Sequence, residues 1–227
     1  MSATAEEIRE RYAALRARLR SAAESGGHDP ERLRIVGVTK THPVDVARAA
    51  VAAGIGILGE SRVQEAEAKV AAIPEAEWHL VGRLQSNKAR RAVRAFAAIH
   101  SVDSASLLER LTDVAREEGL RPQLLLQVNV TGEEAKAGMT PDELLALAPS
   151  VAELGVVGLM TIARLDASPD EARATFRSLR ELRDRLQEAS GTALPDLSMG
   201  MSADAEAAAA EGATLVRIGT ALFGPRG

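Results

Sequence analysis

The sequence predicts a (β/α)8 barrel of the TIM type, an α/β fold in a single domain with an extra N-terminal helix. Three observations carry that expectation. Short apolar runs alternate with amphipathic segments eight times, the metre of a parallel sheet wrapped by helices. The 227 residues fall inside the size range of such barrels, toward its lower end. Polar and glycine-rich stretches gather just after the apolar runs, on the rim that the fold uses for chemistry. A doubly wound open sheet is the competing topology, because periodicity does not reveal strand order.

The first element is a helix over residues 4–25, with Ile8, Tyr12, Leu15 and Leu19 at helical spacing and Gly26-Gly27 as its stop. It precedes the first strand and is expected to cover part of the barrel. Strands are expected at 35–39, 55–59, 78–82, 98–102, 124–130, 156–162, 197–200 and 214–218, each a short run of aliphatic or β-branched residues. Helices fill the intervals at 44–53, 63–72, 88–95, 107–118, 141–154, 170–189 and 204–211, and a short turn at 221–223 follows the last strand. Ser104, Thr140-Pro141 and Ser168-Pro169 supply capping chemistry at three helix starts. No linker or change of composition divides the chain. Residues 1–227 therefore read as one domain, with helix 1–27 and barrel 34–224.

Composition narrows the function. A net charge of -4 leaves no basic footprint for nucleic acid or anionic membrane. The absence of cysteine removes disulfides, thiolate metal sites and thiol nucleophiles. The histidines show no metal-ligand spacing, so no metal is expected. The charged N-terminus has no apolar core of a signal peptide, and no run is long enough to span a bilayer. A cytoplasmic protein is the expectation.

Lys40 is the residue hardest to explain by packing. It ends the run Ile35-Val36-Gly37-Val38-Thr39 and precedes Thr41-His42-Pro43. Lysine is rarely buried, and burial lowers its pKa, the condition for an amine to attack an aldehyde. Lys40 is thus either a Schiff-base lysine or one whose tip escapes to solvent at the strand end. The loops after strands seven and eight are where barrels cradle phosphate, and here they offer Ser202, Gly219 and Thr220. Ordinary caps and a turn glycine are the alternative. Arg217, between Val216 and Ile218, needs an acceptor, which is either a carboxylate on a neighbouring strand or a ligand heteroatom. His79 reads as a lone hydrogen-bonded core histidine. Lys136 reads as solvated or as closing over an anion. Lys88, Arg90, Arg91 and Arg94 read as a solvated surface or an anion or partner site.

Many ordered motifs resemble one family. They include Val38-Thr39-Lys40-Thr41, Gly59-Glu60-Ser61-Arg62-Val63-Gln64-Glu65 and, most specific, the stretch from Trp78-His79-Leu80-Val81-Gly82 through Arg83-Leu84-Gln85-Ser86-Asn87-Lys88. Asn129 with Glu133, Lys136 and Gly138, then Gly158-Leu159-Met160-Thr161, continue the match. Ser198-Met199-Gly200-Met201-Ser202-Ala203-Asp204 and Val216-Arg217-Ile218-Gly219-Thr220-Ala221-Leu222-Phe223-Gly224 complete it. From about residue 34 to 224 the chain resembles the pyridoxal 5'-phosphate homeostasis proteins, small barrels similar to the N-terminal domain of alanine racemases. The resemblance implies that Lys40 carries pyridoxal 5'-phosphate (PLP) as an internal aldimine. It also implies that Ser202, Gly219 and Thr220 hold the phosphate with Met201 beside it, and that Arg217 faces the pyridine nitrogen. Two departures from the family's usual residues stand out, at three positions: Ser61-Arg62 stands where Asn-Tyr is usual, and His42 where a second lysine is common.

An arginine at the pyridine nitrogen keeps its own proton, so the ring is a poor electron sink. Racemisation also needs a second acid/base, and the only tyrosine, Tyr12, is in the first helix. The expected function is a monomeric PLP-binding protein of intracellular PLP and amino-acid homeostasis, without efficient turnover and with no catalytic residue assigned. PLP-dependent apo-enzymes are its expected recipients. A PLP-dependent racemase of low activity and a barrel for another phosphorylated metabolite are the alternatives.

Overall fold

The computed structural model describes residues 3–133 and 137–224, so Lys136 lies outside the described residues. In chain order the first half contains α1 (Ala5–Ser25), β1 (Arg34–Val38), α2 (Val44–Ala52), β2 (Ile57–Glu60), α3 (Val63–Ala72), β3 (Glu77–Leu80), α4 (Ala89–Ala95) and β4 (Ala98–Val102). The second half contains α5 (Ala105–Glu118), β5 (Gln123–Gln127), α6 (Pro141–Ala146), β6 (Val156–Met160), α7 (Pro169–Ser190), β7 (Asp196–Ser198), α8 (Ala205–Ala210), β8 (Leu215–Ile218) and α9 (Thr220–Phe223). Each strand pairs in parallel with the next, and β1 pairs with β8, so the sheet closes. The open-sheet alternative is excluded, and the fold is the expected (β/α)8 barrel with an extra helix in front.

The expected elements are all present, with two clear corrections. The helix expected over 141–154 stops at Ala146 and gives way to a 3-10 turn, Ala148–Ser150. Pro149 is the cause, since its ring lacks an N–H and would clash with the carbonyl one turn back. The expected strand 124–130 also ends early, at Gln127. There the chain folds back on itself, Asn129 N–H donating to the Met139 carbonyl at 3.0 Å.

Strand alternation sorts side chains into two cores. Trp78 and Leu80 of β3, Leu124 and Leu126 of β5, and Val216 and Ile218 of β8 face the helices in the large outer core. Val36, Leu125, Met160 and Leu215 form a small separate cluster inside the barrel. By the same alternation His79 and Arg217 point inward, into a barrel whose apolar filling is sparse. α1 starts with a capping box, Thr4 and Glu7, and buries Ile8, Leu15, Leu19 and Ala23. Each such large aliphatic chain stabilises the packing by about 1.5–3 kcal/mol. The helix lies over α2, α8 and α9, and Arg11 Nη1 donates to the Leu222 carbonyl at 3.1 Å. That contact fixes α9 and the end of β8, which border the site.

Candidate functional site

Lys40, Met201, Ser202, Arg217, Gly219 and Thr220 line one cavity of about 290 Å³ at the C-terminal ends of the strands. Residues far apart in sequence converge there because β1, β7 and β8 are neighbours in the closed barrel. The size is at the lower end of small-molecule pockets. His42, Ser61 and Ile162 share the lining.

The backbone that presents Lys40 is pinned from below. Thr39 N–H continues the ladder to the Gly59 carbonyl at 3.0 Å. The Thr39 carbonyl accepts from Lys69 Nζ at 2.8 Å and from His42 N–H at 3.1 Å. Glu60 Oε1 accepts from Thr39 Oγ1 at 2.7 Å and from Lys69 Nζ at 2.6 Å. Glu60 is fully buried and Lys69 nearly so, its side chain 7% exposed. A buried ion pair adds little net stability, because desolvation offsets attraction, but it fixes geometry. Glu60 Oε2 is buried with no hydrogen-bond partner among the described residues. Directly after Lys40, Thr41 sits at φ 67, in the left-handed region that a β-branched residue adopts only under strain. The Lys40 turn is therefore held rather than relaxed.

Arg217 is fully buried in the barrel and donates through Nη1 to Ser198 Oγ at 2.7 Å and through Nη2 to the Thr161 carbonyl at 2.9 Å. Its partners are neutral oxygens, not the carboxylate of a structural ion pair. Burial pushes the guanidinium down to about 10, against the pull of Asp204, so it remains a cation at neutral pH. Its other N–H groups are left to donate elsewhere.

The loop after β7 is shaped for close approach. Gly200 has φ 91, and a Cβ there would stand 2.5 Å from Ala208 Cβ, so only glycine lets α8 pack against this turn. Asp204 Oδ1 accepts from Met201 N–H at 2.6 Å, which locks the 201–204 turn. Ser202 Oγ accepts from Ala221 N–H at 3.3 Å, tying this loop to the start of α9 and leaving its own O–H to donate. Gly219 caps α9, and a Cβ on it would meet only Val38, its carbonyl oxygen at 3.4 Å. Bare backbone thus forms that part of the wall.

Comparison with known proteins places the chain in a family. The family model described as alanine racemase, N-terminal domain, matches residues 11–227. A pyridoxal phosphate homeostasis protein of Aquifex aeolicus is 42% identical over 222 residues, spanning 96% of this chain and 97% of the relative. The chain belongs to this family. PipY of Synechococcus elongatus, solved both without PLP and with PLP bound, superposes with a TM-score of 0.86 at 44% identity, over 96% of this chain and 100% of that one. An alanine racemase of Bartonella henselae, at 16% identity and TM-score 0.72, shares the fold over 98% of this chain and 60% of its own.

Other sequence expectations divide. Ser61 lines the cavity, whereas Arg62 turns outward to Glu65 at 3.1 Å. Arg91 and Arg94 pair with Glu67 and Glu118, and Arg90 with Glu117 and Glu118, so this cationic helix face is largely neutralised. Among the described residues no cluster of three His, Asp or Glu forms a metal site, and no helix is long and apolar enough to cross a membrane.

One expectation is corrected. His79 is not alone: its Nε2 meets Glu77 Oε1 at 2.8 Å and its Nδ1 meets His100 Nε2 at 2.9 Å. His100 Nδ1 in turn meets Ser198 Oγ at 2.7 Å, the oxygen that Arg217 uses. The expectation of a lone histidine fails because Glu77 lies two residues away in the same strand, and because β3 and β4 are adjacent and both place alternate residues inside. Sequence reasoning missed His100 and Lys69, and quoted Glu60 only as part of a motif after the second strand. The signal for His100 was a polar residue inside a strand, already recognised at Arg217. For Lys69 it was position: Val63, Ala66 and Lys69 lie on the buried face of α3.

Proposed function

We propose that this protein binds PLP in the cavity and serves intracellular PLP and amino-acid homeostasis as a holder of the cofactor. The observation that carries the proposal is the meeting of Lys40, Arg217, Ser202, Gly219 and Thr220 around one small cavity. The donor set suits this molecule. A primary amine, a buried cation and a hydroxyl beside uncovered backbone match an aldehyde, a ring nitrogen and a phosphate. The Lys40 nitrogen bonds the aldehyde carbon and water leaves, giving a Schiff base. Ser202, Gly219 and Thr220 hold the phosphate beside Met201, and Arg217 donates to the ring nitrogen. The same name carried by full-length relatives, and the PLP bound in PipY, support this reading.

PLP supplies an electron sink when its ring nitrogen is protonated. A guanidinium that loses its proton only at about 10 donates a hydrogen bond and keeps that proton, which works against turnover. Tyr12, the one tyrosine, belongs to α1 and packs against the outer core, under Arg16 at 5.8 Å from its ring. The racemase alternative then lacks the usual second acid/base. A cytoplasmic, monomeric carrier that delivers PLP to apo-enzymes fits these features.

Absorbance tests the proposal. The purified protein incubated with PLP is expected to gain a visible Schiff-base absorption band. Lys40→Ala is expected to abolish it. A protein that stays colourless with added PLP overturns the reading. Alanine or serine racemisation well above that of free PLP would instead favour the enzyme.

A further inference from the structure

Glu77, His79, His100 and Ser198 form one continuous line of hydrogen bonds from the base of β3 to Arg217. Glu77 is at the N-terminal end of its strand with its side chain 42% exposed, while both histidines and Ser198 are fully buried. Val81, four residues or about 13 Å further along the same strand, lines the cavity. Neither the fold nor the small inner core requires so many polar groups at one place.

The ends, with one proton on each ring, fix the direction of the bonds. Arg217 only donates, so Ser198 Oγ accepts from it and can pass its own proton to His100 Nδ1. Ionised Glu77 only accepts, so His79 carries its proton on Nε2. With one proton on each ring, His79 accepts at Nδ1 and His100 donates from Nε2. Every bond points the same way, from guanidinium to carboxylate, and the two histidines share one tautomer. Burial above all, with the Arg217 guanidinium nearby, holds His100 well below the usual histidine range, consistent with a neutral ring. The hydrogen bond from His79 holds Glu77 below the usual carboxylate range, consistent with an ionised end.

We infer that Glu77, His79, His100 and Ser198 are positioning residues that fix the orientation of Arg217 and thereby set how it meets a ring nitrogen in the cavity. The inference rests on the PLP reading of that cavity. Two Arg217 N–H groups are committed, one to Ser198 and one to the Thr161 carbonyl, so the plane of the guanidinium is set before any ligand enters. A carboxylate at the opposite end of the barrel thus takes part in ordering the site.

The test uses the full chain labelled with 15N at histidine, without and with PLP. Wild type at pH 7 is expected to show His79 and His100 neutral and protonated at Nε2. Glu77→Gln, which offers both a donor and an acceptor to His79, is expected to give mixed tautomers at both rings. It is also expected to weaken PLP binding by about threefold to tenfold, the ratio carried by one net hydrogen bond, and to shift the bound cofactor's absorption. Glu75→Gln, an exposed carboxylate two residues away, is the control and is expected to change neither. A proton on Nδ1 of either ring in wild type, or a second proton on one of them, overturns the inference. So does a Glu77→Gln protein indistinguishable from Glu75→Gln. If wild type takes up no PLP while the tautomers are as expected, the hydrogen-bonded line stands and the reading of the cavity fails.

Discussion

Two buried polar assemblies serve the same cavity and meet the cost of leaving water differently. Beside Lys40, Lys69 and Glu60 form an ion pair over 2.6 Å, with Thr39 tied to both. Beneath Arg217, two histidines lie in a line of hydrogen bonds, and His100 is held neutral by its burial. The pair opposes one charge with another at contact. The line has its carboxylate and guanidinium at the two ends and imidazole rings and a hydroxyl between them. An ion pair of this kind fails when one member is removed, because the other is left charged in a dry place. A neutral histidine fails when protons are added, because its buried ring must then take a charge.

The largest expected effect follows from breaking the pair. Lys69→Met leaves Glu60 buried and unpaired, and is expected to lower stability by about 3–5 kcal/mol in urea unfolding. Adding Glu60→Gln removes the stranded charge and is expected to recover most of the loss. A single mutant that loses no more than a surface lysine would show that the pair does not hold the Lys40 turn.

Acid is the corresponding probe of the histidine line. The folded-state pKa of His100 is depressed from its ordinary value of 6.5, so between the two values the unfolded chain binds more protons. Stability is then complete above pH 6.5 and declines as pH falls below it, by at most about 1.4 kcal/mol per pH unit. Urea midpoints measured from pH 7.5 to 5.5 are expected to fall in wild type and to fall less in His100→Gln. His28 is lowered in the same sense, by burial first and by Arg180, and stays in both proteins, so the difference between them isolates His100. Glu77, depressed from 4.5 mainly by its bond to His79, loses its contribution only as pH falls below that value. Equal pH slopes in the two proteins would show that His100 is not held neutral by the barrel.

The two assemblies also differ in how visible they were beforehand. The barrel was legible because eight alternations and their caps are local patterns, and the rim residues because the fold says where strands end. Arg217 announced itself as a charge within β8. What it bonds to did not, since Ser198 and Thr161 come from β7 and the end of β6, and pairing between strands is not written in either one. His79 and His100 each look like an isolated core histidine until β3 and β4 are adjacent and in register, His79 opposite Ala98. Lys69 was hidden for another reason: in a helix of glutamates and alanines, a lysine reads as surface unless its position relative to Val63 and Ala66 is followed. The early end of α6 was readable from Pro149 alone.

A smaller change sharpens the role of the pinned turn. Thr41 is exposed and holds a positive φ just after Lys40. Thr41→Gly relieves that strain and is expected to stabilise the protein by about 0.5–1 kcal/mol, part of the gain being offset by the greater freedom of glycine when unfolded. The same substitution loosens the backbone that aims Lys40, so PLP uptake followed by absorbance is expected to slow or weaken as thermal stability rises. A gain in both would mean that the Glu60–Lys69 pair suffices to aim the lysine and that the strain has no part in it.

The smallest effects belong to Ser61 and Arg62, just after β2, and they separate the cavity wall from its surroundings. Arg62 pairs with Glu65 one turn along the same helix start, its side chain 76% exposed. Arg62→Ala is expected to change stability by less than about 0.5 kcal/mol, within the range of exposed pairs, and to leave PLP binding unchanged. Ser61 is one residue earlier but faces the cavity, and its backbone lies against Gly82, where an added Cβ would stand 2.3 Å from the Ser61 carbonyl oxygen. The backbone at Ser61 is therefore fixed, and a longer side chain there extends into the cavity. Ser61→Asn is expected to alter PLP affinity, read by absorbance titration, with little change in the urea midpoint. If Arg62→Ala moves the affinity and Ser61→Asn does not, the contact made after β2 comes from the outer residue, and the boundary drawn here between wall and surface is misplaced by one position.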